Sequence, residues 1–533
     1  MTEPDHDYSV VITNATILDG TGASARHGSV AVSAGRIAAI SFSSSAPVQW
    51  RAETLIDAEN QVLSPGFIDL HSHADFTLPA APGAITQITQ GVTTIMTGNC
   101  GSSPFPIGEL EPLQDATSIF APQLSWDWSD AAGYATRLRD AAPAVNVALQ
   151  VGHGALRIAA MGDDDRAPTP DELERMCELL ETAAEQGVHG FSSGLFYAPG
   201  RFSEPAEIHA LARVAAKHDL VYSTHIRSET DDVIDAVTEA IDVARRTGVR
   251  LEISHIKAMG PPNHGKVRRA LELMAEARAE GLDVSSDVYP YTASSTSLSS
   301  RLPRWALDGG PEALLTRLSD PEQSSRIAEE LAGRFAAEID PAGIVIAELP
   351  GGPYSPRVGS SLTEIAEQDG STPQDVALDV LRHHSASVAI VNHAMDQDDL
   401  DAALVDPHVA IASDGWIMTP TGEGSPHPRS FGTFPRVLGH YSRERGLSPL
   451  AEAVRTMTQL PAARAGLHDR GRIAEGLVAD LVIFDPETVI DRSTYSDPWQ
   501  LSEGISHVLV NGEIALLRGE PTSVRAGEVL SKT

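Results

Sequence analysis

Six residues of types that bind metal ions follow strand-like runs of the sequence. They are His71, His73, Cys100, His225, His255 and Asp414. His71 and His73 lie two positions apart after the run LSPGFIDL, so on a strand both side chains point to the same side and can bind one ion. His225 in YSTHI and His255 in EISHI end two separate runs.

Cys100 in TGNCG and Asp414 in AIASDG complete the set. Taken alone, a buried cysteine is typically an inert packing residue, and an aspartate before glycine is typically a turn former. Their common position at strand ends instead favours a shared site, because imidazole, thiolate and carboxylate are the ligands that zinc prefers. An ion with an open position can activate water, so the indicated chemistry is hydrolysis.

These residues can share one site only if the strands that precede them are parallel and end on the same side of the sheet. Nine runs have the length and character of buried strands: GFIDLHSH, GVTTIMTGNC, VNVALQVGH, VHGFSSG, LVYSTHI, RLEISHI, LDVSSDVYPY, SVAIVNHA and HVAIASDG. They alternate with helical segments such as TPDELERMCELLETAAEQ, which predicts an α/β fold with a parallel sheet. A (β/α)₈ barrel keeps its active site at the carboxyl ends of its strands. Since such a barrel has eight strands, one of the nine runs must lie elsewhere.

Both ends of the chain are rich in β-branched runs, such as SVVITNATILDGTG and ISHVLVNGEIAL. We therefore predict a small β-sandwich formed by residues 1–64 and 467–533, with the barrel spanning 65–466. The segment near 300–360 departs from the alternation of strands and helices and is predicted to be an insertion after a barrel strand. It could be a lid over the site or a plain surface insertion.

Charge and cysteine content argue against several classes of protein. The chain has 73 acidic and 39 basic residues and a net charge of −34, which argues against nucleic acid or an anionic membrane as partner. Two cysteines cannot form a disulfide framework, and no apolar run approaches the roughly 18 residues of a membrane span. The first ten residues lack the pattern of a signal peptide. We expect a cytoplasmic enzyme with a small-molecule substrate, and its oligomeric state stays open.

Several longer motifs carry a family resemblance. They are PGFIDLHSHAD, GVTTIMTGNCGSSPFP, GHGALR, GFSSGLFYAPG, THIRSE, SHIK, DVYPYTASST, SDG, HPRSFGTFPRVL and GRIAEGLVADLVIFDP. Over nearly its whole length the sequence resembles the amidohydrolase superfamily, and within it the N-acyl-D-amino-acid deacylase (D-aminoacylase) family. The resemblance implies a barrel with a β-sandwich made from both termini. It also implies zinc-dependent hydrolysis of the amide bond of N-acyl-D-amino acids to a D-amino acid and a carboxylate.

The resemblance further implies how metal is bound. Cys100 takes the place of the carboxylated lysine of hydantoinase-like relatives. One tight zinc is expected at Cys100, His225 and His255, and a second, weaker site at His71, His73 and Asp414. Asp414 is the expected catalytic residue, because a carboxylate placed there could take a proton from water and return it to the departing amine.

Four residues are expected to bind substrate. Lys257 lies two positions beyond His255, so on a continued strand it would point to the same side and could meet a substrate carboxylate. The resemblance adds Tyr197, Tyr291 and Arg429, the last because a guanidinium can bind a carboxylate through two parallel hydrogen bonds. Tyr289 is the alternative to Tyr291 as the tyrosine that faces the pocket.

Two other functions compete with the deacylase. The first is a cyclic-amide hydrolase of the hydantoinase or dihydropyrimidinase kind, against which Cys100 argues because those enzymes have a lysine there. The second is a non-catalytic barrel used as a binding module, which should have lost metal ligands, whereas all six positions are occupied. His153 and His393, also near strand ends, are not assigned to metal, and Cys177 is expected to pack within a helix.

Overall fold

The computed structural model describes residues 7–42, 49–117 and 124–532. Positions 1–6, 43–48 and 533 of the predicted sandwich ranges lie outside the described residues. The chain begins with five strands: β1 (Tyr8–Ile17), β2 (Arg26–Ser33), β3 (Arg36–Ser41), β4 (Ala52–Asp57) and β5 (Val62–Pro65). Alternating burial along β4 is typical of a strand with one face towards a core.

Seven parallel strands follow, each separated from the next by helix or loop. They are β6 (Phe67–Asp69), β7 (Val92–Thr97), β8 (Asn146–Gly152), β9 (Gly190–Gly194), β10 (Val221–His225), β11 (Arg250–Ile253) and β12 (Val284–Val288). Nearly all their residues are buried on both faces, as expected for strands covered by helices.

Eight helices accompany these strands: α1 (Ile85–Ile88), α2 (Leu110–Ala116), α3 (Ala131–Ala141), α4 (His153–Met161), α5 (Pro170–Glu185), α6 (Pro205–Lys217), α7 (Val233–Thr247) and α8 (Lys266–Ala279). Helix α5 shows how the local sequence sets a boundary. The Thr169 side chain accepts a hydrogen bond from the Glu172 backbone, the Glu172 carboxylate accepts one from the Thr169 backbone, and Pro170 occupies the first turn.

A separate lobe interrupts the barrel after β12. It contains the antiparallel strands β13 (Ala293–Ser297), β14 (Ile344–Glu348) and β15 (Ala389–His393), with helices α9 (Gly310–Ser319), α10 (Pro321–Ala337), α11 (Leu362–Asp369) and α12 (Pro373–His383). The predicted run SVAIVNHA is β15, so it is the ninth run that does not belong to the barrel. The lobe has its own apolar core, which includes Leu331, Ile346 and Ile390.

The chain then completes the barrel and returns to the first sheet. The remaining strands and helices are α13 (Gln397–Val405), β16 (Val409–Ile411), α14 (Arg429–Arg436), which continues as a π-helix (Val437–Glu444), α15 (Leu450–Met457), α16 (Gln459–Ala465), β17 (Leu481–Phe484), β18 (Ile505–Val510), β19 (Glu513–Leu517) and β20 (Glu520–Pro521). Strand β16 pairs in parallel with β12, giving an eight-stranded sheet in the order β16-β12-β11-β10-β9-β8-β7-β6. The predicted (β/α)₈ barrel is confirmed.

Strands from both ends of the chain share one nine-stranded sheet, in which β5 pairs with β17. Residues of β1, β2, β4, β17 and β18 contribute to a single apolar core, so the sheet folds over itself as a β-sandwich. The last residues leave this sheet and contact the barrel, where the Leu530 backbone donates to the Val147 carbonyl. Within the described ranges, no helix combines the length and apolar character needed to cross a bilayer.

Candidate metal centre and active-site cavity

The barrel closes at the predicted site. The Asp414 backbone N–H donates to the His71 carbonyl at 2.8 Å, and the His73 N–H donates to the Gly415 carbonyl at 2.9 Å. These bonds join the chain after β6 to the chain after β16. They fix His71, His73 and Asp414 beside one another at the carboxyl end of the barrel, where active sites of this fold lie.

The Cys100 thiol is central to the cluster. Its Sγ lies 3.3 Å from His71 Nε2, 3.4 Å from His255 Nε2 and 3.7 Å from His225 Nδ1. Asp414 Oδ1 lies 3.4 Å from His71 Nε2 and 3.1 Å from His73 Nε2. The structure therefore brings all six predicted residues together, although they come from five different strand ends.

Among the residues that the structure describes, two groups of donor atoms are compact enough to hold an ion. One ligand atom from each of His71, Cys100, His255 and Asp414 lies within 4.8 Å of all the others. A second group joins His225 and His255 to Glu229. The first group combines residues that the sequence assigned to two different metal sites, so any two ions bound here would be close neighbours.

The spacing between sulfur and nitrogen fits zinc. Bond lengths of about 2.3 Å to sulfur and about 2.05 Å to nitrogen place tetrahedral S and N ligands about 3.5 Å apart. The three S···N distances at Cys100 range from 3.3 to 3.7 Å. The donor set and its geometry therefore suit a zinc ion at the thiol.

Buried carboxylates support three of the four histidines. Asp287 lies 3.3 Å from His71 Nδ1, and Glu229 Oε1 lies 3.3 Å from both His225 Nε2 and His255 Nδ1. In each case the carboxylate is beside the ring nitrogen that faces away from Cys100. Asp287 forms a hydrogen bond with its histidine, whereas Glu229 lies at ion-pair distance from the other two. A carboxylate that accepts the N–H of this ring nitrogen leaves the opposite nitrogen free to bind metal.

Three of the six predicted ligands have a strained backbone. Cys100, His255 and Asp414 have positive φ angles of 52°, 36° and 50°. Such conformations cost non-glycine residues free energy and persist where the surrounding structure enforces them, frequently at functional sites. The strain directs these three side chains into one cavity at the end of the barrel.

Burial sets the charges of the ligands. Burial lowers the pKa of His71 and of His255 to about 3, so both imidazoles are neutral at pH 7, which is the form that binds metal. Burial also raises the pKa of the Cys100 thiol well above its usual value. A thiolate at this position therefore requires a nearby positive charge such as a metal ion.

Asp414 is held as a carboxylate. Burial opposes its charge, but Arg429, His71 and His255 together lower its pKa well below the usual value. The main partner is Arg429, whose Nη1 donates to Asp414 Oδ2 at 2.6 Å. Asp414 is therefore ionised at neutral pH, as a proton acceptor must be.

Lys257 lies in the cavity but is heavily engaged. Its Nζ lies 2.5 Å from Glu229 Oε1, 2.8 Å from His255 Nδ1 and 3.0 Å from the His255 carbonyl oxygen. Lys257 therefore connects the metal ligand His255 to the buried carboxylate of Glu229.

Of the two tyrosines that the sequence left open, Tyr289 lines the cavity. The Tyr289 ring lies 5.7 Å from Lys257 Nζ and 4.9 Å from the Arg429 guanidinium carbon, and it lines the cavity. The Tyr291 hydroxyl instead donates to the Pro428 carbonyl, and its ring lies against Arg436. Tyr197 does line the cavity, with its ring 4.7 Å from that of His225.

Sequence reasoning missed two carboxylates, Glu229 and Asp287. Each had a signal: Glu229 is the final residue of the motif THIRSE, and Asp287 is a charged residue within the predicted strand LDVSSDVYPY. Three residues left unassigned do lie elsewhere. His153 is buried against Glu207, His393 is exposed beside Tyr495, and Cys177 is half-buried in α5.

Comparison with known proteins identifies relatives that span the whole chain. The sequence matches the amidohydrolase family over residues 54–516. It is 38% identical to an N-acyl-D-glutamate deacylase of Alcaligenes xylosoxydans xylosoxydans, covering 98% of this chain and 96% of the relative. A D-aminoacylase of the same organism is 36% identical, over 99% of this chain and 98% of the relative.

A solved structure agrees with these relatives. The crystal structure of N-acyl-D-glutamate deacylase from Bordetella bronchiseptica, complexed with zinc and a phosphonate inhibitor that mimics the tetrahedral intermediate, is 35% identical with a TM-score of 0.85. The match covers 98% of this chain and 100% of that one. The chain therefore belongs to the amidohydrolase family and, within it, to the N-acyl-D-amino-acid deacylases.

Proposed function

We propose that this protein hydrolyses the amide bond of N-acyl-D-amino acids in a zinc-dependent reaction, giving a D-amino acid and a carboxylate. The observation that carries the proposal is the cluster of one thiol, four imidazoles and Asp414, with buried carboxylates behind three of the imidazoles. The full-length relatives that act on N-acyl-D-amino acids support the same reaction. A binding module has no need for such a set of supported ligands.

For the metal, we propose a tight zinc at Cys100, His225 and His255 and a weaker one at His71, His73 and Asp414. The S···N distances at Cys100 and the shared partner Glu229 support the first set. The approach of both His71 and His73 to Asp414 Oδ1 supports the second.

The metal and the side chains have different roles in the proposed reaction. A bound zinc ion would polarise the amide carbonyl and lower the pKa of water towards about 7. Asp414 accepts the proton of the attacking water and then returns it to the amine nitrogen as the C–N bond breaks. Its ion pair with Arg429 keeps it ionised for the first of these transfers and holds it in position.

The α-carboxylate of the substrate would bind between two cations. Lys257 and Arg429 both lie against the Tyr289 ring, so a carboxylate over this ring could contact either of them and the tyrosine hydroxyl. Tyr197 lines the other side of the metal cluster and would contact the acyl group or the side chain.

The test is hydrolysis of N-acetyl-D-amino acids with neutral and acidic side chains, each beside its L-enantiomer, before and after removal of metal with a chelator. We expect release of amine from D-substrates only, its loss after chelation, and its recovery when zinc is added back. A hydantoin is included to test the cyclic-amide alternative. Ring opening without cleavage of any linear D-substrate would replace the proposed function.

Replacing Glu229 with glutamine is expected to weaken zinc binding. The neutral amide of Glu229→Gln lacks the negative charge that lies beside the rings of His225 and His255. Loss of a carboxylate that contacts metal-binding histidines typically lowers metal affinity or activity about 10–100-fold. Titration of the purified protein with a competing chelator measures the affinity directly.

The matched control is Glu252→Gln. Glu252 is also a buried glutamate, but it lies on β11 and pairs with Arg464, away from the cavity. Its replacement should lower thermal stability and leave zinc affinity unchanged. Equal zinc affinity in Glu229→Gln and the wild type would contradict the role given to Glu229.

A further inference from the structure

The active-site cavity has an apolar branch between the barrel and the inserted lobe. Helix α2 forms part of its wall and packs against both α4, which follows β8, and α9 of the lobe. Six apolar residues line this branch: Leu113, Ala155, Ile158, Leu307, Pro311 and Leu314. Apart from Pro311, each of them is buried. Such a surface favours an apolar group that leaves solvent.

The apolar branch begins beside the metal cluster. Helix α4 starts directly after β8, and its Gly154 backbone N–H donates to the carbonyl of Gly101, the residue after Cys100, at 2.8 Å. Gly154, Ala155 and Ile158 share one face of α4, because residues three and four positions apart are neighbours on a helix. This face leads away from Cys100 for about 6 Å, the rise of four helical residues.

The apolar branch starts across the barrel from the cations proposed for the α-carboxylate. In the ring of eight strands, β7 and β8 lie four places from β11 and β12, so the two pairs face each other over the mouth. Lys257 and Tyr289 follow β11 and β12, whereas Cys100 and α4 follow β7 and β8. The metal cluster therefore lies between the carboxylate site and the apolar branch.

An N-acyl amino acid has its groups in the same order. Its amide is planar and trans, so the acyl chain and the Cα atom lie on opposite sides of the C–N bond. When the amide carbonyl lies at the metal cluster and the α-carboxylate lies at Lys257 and Arg429, the acyl chain points towards α4. The amino-acid side chain stays on the carboxylate side, because it is attached to Cα.

The size of the cavity exceeds that of a small substrate. Its volume is about 230 Å³, which is room for roughly twenty water molecules at about 10–15 Å³ each. N-acetyl-D-alanine has about nine non-hydrogen atoms, so it would fill roughly half of that space. A longer acyl chain would fill the apolar branch and gain contacts with its wall.

Carboxylates at the outer end of the apolar branch exclude an anion from it. Asp115, which is exposed, and Asp163, which is half-buried, also line the cavity. Burial and then the carboxylates of Glu111, Glu312 and Asp163 raise the pKa of Asp115, as expected where like charges are close together. The α-carboxylate would be repelled there, so the branch suits the uncharged end of the substrate.

We propose that the apolar branch binds the acyl chain, and that the protein prefers N-acyl-D-amino acids with a medium-length alkanoyl group, such as octanoyl, over N-acetyl compounds. The proposal rests on the deacylase function proposed above and deepens it by naming the class of acyl group. An alkyl chain has no polar atom that needs a partner, and each of its methylenes gains by leaving water.

The experiment compares kcat/KM for N-acetyl-D-alanine, N-octanoyl-D-alanine and N-acetyl-D-2-aminononanoate. The last two are isomers that have the same additional methylenes on the acyl group or on the side chain. Each methylene that is fully buried contributes about fourfold, so partial burial of the octanoyl chain should raise kcat/KM about 100-fold over acetyl. The octanoyl compound should exceed its isomer by at least about tenfold, because the long chain of the isomer starts on the wrong side of the amide.

A tryptophan in the wall should block the apolar branch. In Ile158→Trp, the ratio of kcat/KM for octanoyl to that for acetyl should fall at least about tenfold, because the indole occupies the space of several methylenes. Leu307→Trp fills the branch from the lobe and should lower the same ratio, so it replaces the first variant if that one does not fold.

Met161→Trp is the matched control. It places the same side chain on α4, at a half-buried residue that packs against the main apolar core of the barrel and does not line the cavity. Its ratio of octanoyl to acetyl should equal that of the wild type. Zinc content and thermal unfolding show whether each variant is intact, and if neither blocking variant folds, the wild-type ranking of the two isomers decides.

The outcomes separate this inference from the function on which it rests. Equal or faster cleavage of N-acetyl-D-alanine, or of the isomer with the long side chain, overturns the acyl assignment and leaves the deacylase function standing. An unchanged ratio in a folded blocking variant also overturns it. If neither these substrates nor the other N-acetyl-D-amino acids are cleaved, both proposals fail together.

Discussion

Replacing Cys100 with serine is expected to remove the tightly bound zinc and with it almost all activity. The thiol sulfur lies within 3.7 Å of three imidazole nitrogens, two of which belong to the other ligands proposed for the tight zinc, His225 and His255. A serine hydroxyl is a harder donor that does not ionise at neutral pH, whereas zinc prefers a thiolate. Since removing one electrostatic contact to a transition state costs about 10²–10³-fold in kcat, losing the ion should cost more than about 10³-fold.

Metal analysis after purification without added zinc, together with kcat on a D-substrate, tests this expectation. Cys177→Ser is the control because it replaces the other cysteine, which is half-buried in α5. The control should retain zinc and turnover. A Cys100→Ser protein with the zinc content and kcat of the wild type would rule out the thiol as a ligand.

The residues of the cluster could be predicted because they obey a local rule. Polar and titratable residues that follow buried strands meet at one end of a parallel barrel, whatever their distance along the chain. His71 and Asp414 follow β6 and β16, and His225 ends β10. The structure brings all three beside Cys100 and His255. No knowledge of the loops was needed to place them.

The rule fails where the strand ends. Strand β12 ends at Val288, and the Tyr291 backbone N–H donates to the Tyr289 carbonyl across a turn. Side chains alternate between two faces only while the chain stays extended, so spacing could not decide between Tyr289 and Tyr291. The run SVAIVNHA misled for a related reason, because a buried strand of the lobe has the same apolar pattern as a barrel strand.

The sequence did not predict which charged residues of the lobe are buried in the cavity wall. Arg301 and Arg304 lie in one segment, SSRLPR, yet the first is buried in the cavity wall and the second forms a surface ion pair with Asp165. Their difference depends on how the lobe packs against the 196–202 loop, which is a tertiary contact with no local pattern.

Replacing Asp414 with asparagine is expected to lower kcat about 10²–10⁴-fold, the usual contribution of a general acid–base group. The amide of Asp414→Asn keeps nearly the same shape but cannot accept the proton from water or return it to the amine. The proposed tight ligands Cys100, His225 and His255 are untouched, so at least that zinc should remain. Metal content, kcat and KM measured together separate this result from simple loss of the ion.

The change also breaks a buried ion pair, and that effect must be separated from catalysis. Asp480→Asn is a close match: Asp480 Oδ2 accepts from Arg470 Nη1 at 2.6 Å, as Asp414 Oδ2 does from Arg429 Nη1, but away from the cavity. Both variants remove a buried carboxylate partner of a buried arginine and should unfold at lower temperature. Only Asp414→Asn should lose turnover while zinc stays bound. If the two variants lose kcat equally, Asp414 acts through stability alone, and another group must carry the proton.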